Sequence, residues 1–139
     1  MYKRQFITNA AVPESAATTV TGGSGNTVVG VTPLLMVGNG AGQTATFDMS
    51  AGGNNIFVAA SSAGASSGSL AYTGGDGSDV LSLGTILASE DGEVSFDMTA
   101  GGNNVLVMQD DTSQRADDFE YRDGPGQDIV VYYLSLIHI

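Results

Sequence analysis

Hydrophobic residues in this chain come in short bursts that alternate with polar ones. Val94, Phe96 and Met98 alternate with Ser95, Asp97 and Thr99, and Ala45, Phe47 and Met49 alternate with Thr46, Asp48 and Ser50. A period of two sends successive side chains to opposite faces, so both segments read as half-buried strands. Further strands are expected at Leu70-Ala71-Tyr72, Val80-Leu81-Ser82-Leu83, 105–108, Phe119-Glu120-Tyr121 and 129–133. The short apolar runs 34–37 and 86–88 fit either a bulged strand or a single turn. No long stretch carries apolar residues at helical spacing, which argues against helix.

Gly-rich turns separate the bursts. Aligned on the apolar residue that follows, they end at Val29, Phe57, Leu81, Leu106 and Val130, with spacings of 28, 24, 25 and 24. A repeat near 25 residues predicts an all-β fold, a parallel β-helix or β-roll-like solenoid with coils of the form strand, Gly turn, strand. Five coils about 4.8 Å apart make a stack of about 24 Å. Gly and the Asn residues at 54, 55, 103 and 104 suit tight corners. An antiparallel β-sandwich built from hairpins is the alternative, and the regular spacing favours the solenoid. The segments 61–68 (SSAGASSG) and 110–118 read as polar inserts, looped out from the stack.

A longer repeat lies over the shorter one. Residues 47–58 read FDMSAGGNNIFV and residues 96–107 read FDMTAGGNNVLV, 49 positions apart. Two coils therefore make one larger unit. An array of similar units leaves little unique sequence for a catalytic pocket, so the expectation is that the chain is not an enzyme.

The chain carries a formal charge of -11 over 139 residues and has no Cys. That acidity repels nucleic acid and anionic membranes and suits solubility or cation binding. Without Cys there is neither a disulfide framework nor a thiolate metal site. No run of eighteen apolar residues is present to span a membrane as a helix. Twenty Gly with three Pro is too irregular for collagen.

The two ends read differently from the rest. Residues 1–5 (MYKRQ) and 134–139 (LSLIHI) resemble translations of a sequencing-library transposon end, one strand at each terminus. On that reading 1–5 and 134–139 are adapter-derived tails, and 6–133 is a β-repeat segment cut from within a longer protein. Removing them takes away Lys3, Arg4 and His138 and moves the charge from -11 to -13.

The turn at 74–82, GGDGSDVLS, matches GGxGxDxUx. It resembles the RTX-type (haemolysin-type) calcium-binding repeat of secreted bacterial proteins. The resemblance implies a Ca²⁺ held by the Asp79 carboxylate, with Asp76 and the backbone of Gly75 and Gly77 as partners and Leu81 in the core. Oxygen donors of this kind suit a hard cation. The turn at 123–130, DGPGQDIV, is the second copy, with Gly126 and with Asp128 in the ligand position. The other turns depart from the pattern: Thr27, Asn55 and Asn104 replace the Asp, and Ser50-Ala51 and Thr99-Ala100 replace the paired Gly. The copies are also not in tandem, and a period near 25 does not supply the close spacing of a β-roll. The competing reading of Asp76 and Asp79 is that they cap tight turns by side-chain hydrogen bonds.

Other polar groups read as surface. Asp110-Asp111 and Asp117-Asp118 make a solvated acidic face or a weak cation site. Asp48 and Asp97 lie opposite Phe and Met, and stacking in register would align them as like charges. Tyr72, Tyr121, Tyr132 and Tyr133 read as strand residues, and no carboxylate pair stands out for acid–base work. GGSG and GGDG lack the Lys of a phosphate loop. The expectation is thus a calcium-stabilised structural or adhesive repeat segment of a secreted or surface bacterial protein. Its partners would be calcium ions, neighbouring repeats of the same chain and a cell-surface or matrix ligand, with no nucleic acid and no membrane insertion. The alternatives are a cation-independent structural β-solenoid of a fibre or surface layer, or the non-catalytic repeat region of an extracellular hydrolase.

Overall fold

A computed structural model describes residues 5–8, 17–31, 35–37, 44–59, 63–65, 69–88, 93–110 and 119–134, and every regular element in them is a strand. In chain order these are β1 (Gln5–Thr8), β2 (Thr18–Thr21), β3 (Thr27–Val31), β4 (Leu35–Val37), β5 (Thr44–Asp48), β6 (Ile56–Ala59) and β7 (Ala63–Ala65). There follow β8 (Ser69–Thr73), β9 (Val80–Ala88), β10 (Glu93–Asp97), β11 (Val105–Asp110), β12 (Phe119–Arg122) and β13 (Ile129–Leu134).

All strand pairs are parallel and fall into two sheets. The larger runs β1-β3-β6-β9-β11-β13, with β7 pairing both β4 and β9; the smaller runs β12-β10-β8-β5-β2. Each coil passes from a strand of the smaller sheet through a Gly turn into a strand of the larger, then returns. This is a parallel β-solenoid. Val29, Phe57, Leu81, Leu106 and Val130 are register partners in the larger sheet, as the turn alignment predicts. In the smaller sheet Val20, Phe47, Tyr72, Phe96 and Tyr121 stack in the same way.

The period-two pattern fixes the core between the sheets. Ala45, Phe47 and Met49, and Val94, Phe96 and Met98, are all buried, facing Val29, Phe57, Leu81 and Leu106. Phe47 meets Phe57 edge-on with ring centroids 4.7 Å apart, and Tyr72 and Phe96 extend the column of rings. Each fully buried Phe or Leu contributes about 1.5–3 kcal/mol.

Segment 61–68 and the stacking of Asp48 and Asp97 differ from the sequence reading, and the other open segments are placed as follows. Segment 61–68 is no insert: β7 lies inside it and pairs with β9, Ala63 against Ile86. The return from Ile56 to Leu70 spans 14 residues, as do those from Val80 to Val94 and from Val105 to Phe119, so it is an ordinary part of a coil. Of 110–118, Asp110 ends β11 and the remainder lies outside the described residues. Residues 35–37 form a strand, and 86–88 continue β9 past a bulge: Leu83 pairs with Met108 and Thr85 with Gln109, leaving Gly84 unmatched. Asp48 and Asp97 do not form an adjacent line of charge. Residues 49 apart lie two coils apart, and Thr73 stands between them. At the termini, Gln5 falls in β1 and Leu134 in β13, while 1–4 and 135–139 lie outside the described residues.

Candidate functional site

The most organised chemistry in the fold lies at the stacked turns. Thr27, Asn55, Asp79 and Asn104 each precede an inward-facing apolar residue by two, so strand parity turns their side chains inward. All four are buried, and Asp79 is 0% exposed. Each backbone N–H donates to the side chain of the following coil: Thr27 to Asn55 Oδ1 at 3.2 Å, Asn55 to Asp79 Oδ1 at 2.9 Å, Asp79 to Asn104 Oδ1 at 2.9 Å and Asn104 to Asp128 Oδ1 at 2.9 Å. This inner ladder satisfies backbone groups that the turn would otherwise bury unpaired.

Asp79 is the most heavily bonded member. Its Oδ1 also accepts from Asn55 Nδ2 at 2.9 Å, and its Oδ2 accepts from the Tyr72 hydroxyl at 3.0 Å. Burial pushes its carboxyl above the usual range, while bonds from Asn55, Tyr72 and Gly75 pull against that shift. Burial and the adjacent Asp79 charge push the Tyr72 phenol far above its ordinary value. The proton therefore stays on Tyr72, which donates to Asp79 Oδ2. Tyr121 and Asp128 repeat the pair two coils on, with a 2.6 Å bond to Oδ2. Burial raises the half-buried Asp128, but donors from Tyr121 and Asn104 outweigh it and leave the carboxyl lowered.

A second ladder runs outside the first and in the opposite sense. Asn54 N–H donates back to Asn26 Oδ1 at 3.1 Å, Ser78 to Asn54 Oδ1 at 2.8 Å, Asn103 to Ser78 Oγ at 3.2 Å and Gln127 to Asn103 Oδ1 at 2.9 Å. It borders a shallow groove lined by Val28, Ile56 and Val80. Between the ladders the turns stack on Gly. Gly53 and Gly102 have φ of +85° and +90°, and a Cβ on either would strike the carbonyl of Gly25 or Gly77 in the coil before. No other residue fits there.

The turns alternate in length. Counted from the residue after the smaller-sheet strand to the inner-ladder residue, they are 22–27, 49–55, 74–79, 98–104 and 123–128, or six, seven, six, seven and six residues. The longer ones fold back on themselves, Gly52 N–H to Met49 O and Gly101 N–H to Met98 O, both at 3.1 Å. Long turns go with Phe and Asn (Phe47 with Asn55, Phe96 with Asn104). Short ones go with Tyr and Asp in two of three cases. The 49-residue unit is thus a physical pair of unlike coils.

The six residues proposed as calcium ligands are distributed as follows. Asp79 is interior and Asp76 is exposed, so their side chains lie on opposite sides of the turn. Gly75 and Gly77 stack against Gly52 and Gly53, and Gly126 against Gly102. Asp128 lies two coils from Asp79, with Asn104 between them. Among the described residues, no group of three or more His, Cys, Asp or Glu is placed to hold a metal ion. Asp48 and Asp97 cap their own turns: Asp48 Oδ1 accepts from Ser50 N–H, and Asp97 Oδ1 from Thr99 N–H, both at 3.0 Å. Side-chain hydrogen bonds from Ser50 and Thr99, followed by these backbone bonds, lower both carboxyls. No described helix is long and apolar enough to cross a membrane. The sequence placed Asn at 54, 55, 103 and 104 in tight corners, but the bonds that Asn26, Asn54, Asn55 and Asn104 make to neighbouring coils were not read from it, although parity from Phe57 and Leu106 was the signal for the inner pair. Compared with protein-family models, with curated proteins and with solved structures, the chain matches none.

Proposed function

We propose that this chain is a cation-independent structural segment, a β-solenoid scaffold of the kind that spaces or presents other parts of a fibre or surface layer. One observation carries the reading: the best match to a calcium ligand, Asp79, has both carboxylate oxygens engaged by Asn55 and Tyr72 inside the stack. Recruiting it to a cation would require breaking bonds that join adjacent coils. The inner ladder alternates Asn with Asp, and an uncharged Asn on either side keeps the buried charges two coils apart. The stack therefore needs no counter-ion between neighbouring turns.

The test is urea unfolding followed by far-UV circular dichroism, with excess Ca²⁺, with excess Mg²⁺ and with chelator. Coincident midpoints are expected. A rise in midpoint specific to Ca²⁺, or loss of the β signal in chelator, would return the chain to the calcium-stabilised reading.

A further inference from the structure

The outward positions of the larger sheet make a face without charge. Val28, Ile56, Val80, Val105 and Ile129 are register partners, one per coil, and strand parity turns them away from the core. Ile56 and Val80 are each 42% exposed, and Ile129 is 56% exposed. Two residues further along each strand, Val58, Val107 and Val131 face the same way, with Gly30 and Ser82 completing a second column. The outer Asn and Ser ladder runs along the other side of the first column. These three columns hold no ionisable side chain, in a chain whose net charge is -11. The outward face of the smaller sheet is unlike it and carries Asp48, Glu93, Asp97, Glu120 and Arg122.

The shape and charge of this face restrict what covers it. Its first column is all Val and Ile, whose branching at Cβ fixes the rotamer, so it forms one straight ridge. Rows repeat at the coil step of about 4.8 Å, and columns lie about 6.6 Å apart. A surface with the same two spacings can seat its ridge beside this one over the full height, as packed sheets do when their strands align within about 30°. A second copy of the chain supplies that surface, and a two-fold axis presents the same patch from both copies. Two chains of charge -11 repel, and they repel least where neither face is charged. A lipid surface is a poorer match, because no Lys or Arg lies within the three columns. Five rows by three columns cover about 24 Å by 20 Å, which buries about 500 Å² on each copy and about 1,000 Å² in all. That reaches the lower bound of a specific interface and falls short of the range of about 1,200–2,000 Å² for a stable one. Pairing through five coils is therefore weak, and each further coil in a longer array adds to it.

We infer that the outward face of the larger sheet is a lateral docking surface for a second copy of this chain, packed sheet against sheet about a two-fold axis. The inference rests on the scaffold reading, and it deepens that reading by naming the partner: an identical stack laid alongside.

The test is sedimentation equilibrium on the full chain, with chelator throughout, from about 10 µM to about 1 mM. The average mass is expected to rise from 14.1 kDa toward twice that value. Added salt should strengthen the pairing, because it screens the repulsion between copies. Ile56→Lys and Val80→Lys each put a charge in the middle of the face and should weaken the pairing at least about tenfold. Both make the chain less negative, so net repulsion does not account for the loss. Thr46→Lys makes the same change of charge on the outward face of the smaller sheet and should leave the pairing intact. A urea midpoint close to that of the parent shows that each variant is folded. A mass of 14.1 kDa at every concentration would overturn the inference. So would pairing that survives both face variants, or that Thr46→Lys weakens equally. None of these masses bears on the scaffold reading, which is decided by the metal dependence of the urea midpoint.

Discussion

The Tyr72–Asp79 pair offers a direct test of the ladder, because the chain already contains its replacement. Tyr72→Phe removes the hydroxyl that reaches Asp79 Oδ2 at 3.0 Å in a site with 0% exposure. A buried charged acceptor left short of a donor costs about 2–3 kcal/mol. Asp79→Asn keeps an oxygen for the Asn55 N–H but turns an amide NH₂ toward the Tyr72 hydroxyl, which then lacks an acceptor. That costs about 1–2 kcal/mol, reduced because a buried charge disappears with it. The Y72F/D79N double variant installs the Phe–Asn pair of the neighbouring coils, where Phe47 goes with Asn55 and Phe96 with Asn104. It removes the mismatch between hydroxyl and amide but leaves the Gly75 N–H without its carboxylate acceptor, and the expected loss is about 1–2 kcal/mol. The two sites should therefore couple by about 2–3 kcal/mol, where independent sites add within about 0.5 kcal/mol. The measurement is a double-mutant cycle by urea unfolding at pH near 7, with m-values compared to confirm a common unfolding reaction. A double variant that loses the sum of the single losses would refute the reasoning, since hydroxyl and carboxylate would then be acting separately.

Three further outcomes are expected. Gly53→Ala should cost about 2–4 kcal/mol, because φ is +85° and the new Cβ strikes the Gly25 carbonyl; Gly23→Ala, with nothing within 4 Å, should change the urea midpoint by no more than about 0.5 kcal/mol. Met98→Ala should cost about 2–4 kcal/mol by calorimetry, because the side chain is 1% exposed and fills the space over Gly74. The pH dependence should have two opposed parts. Asp48, Asp97 and Asp128 have lowered carboxyls, so their stabilisation is present above the ordinary carboxylate range and lost as pH falls through their folded values. Asp79 is raised, so its contribution falls as pH rises from the ordinary value through the folded one. The Y72F/D79N variant should therefore gain relative to the parent as pH rises above the ordinary carboxylate value, and a constant difference across a pH series of unfolding midpoints would contradict the assignment.

The coil spacing was legible because the solenoid repeats one requirement at every turn. An apolar residue must face inward directly after a Gly corner, and Val29, Phe57, Leu81, Leu106 and Val130 mark it. The short strands β1, β2 and β7 were not read: at four, four and three residues they are too short to show apolar alternation, β2 and β7 are mostly Thr, Ala and Gly, and parallel pairing with neighbours holds all three. The ladder was legible in part. Aligning the turns places Thr27, Asn55, Asp79, Asn104 and Asp128 at one position, but a motif resemblance drew attention to the carboxylates as ligands. The two-residue step from Asp79 to buried Leu81 gives the direction of the side chain, and with it the hydrogen-bonding role. The extra residue in alternate turns was hidden, because a gapless alignment pairs Ser50 with Gly74 whereas the backbone bonds pair Met49 with it.

The alternation of unlike coils answers a problem that any regular stack poses. If all coils were alike, a chain could pair each coil with the wrong neighbour, and a slip of one coil would preserve every apolar contact. Here such a slip sets Met49 where Gly74 belongs and Gly74 where Met98 belongs. One layer then holds two Met side chains in the space for one, and the next holds none. Overpacking of that kind costs about 1–3 kcal/mol, and the void costs a comparable amount. Only a slip of two coils restores every match, and in a stack this short it would leave nearly half of the core unpaired. The 49-residue period is therefore the distance over which stacking is unambiguous. The 24- and 25-residue steps within it are geometry, set by whether the turn contains six residues or seven.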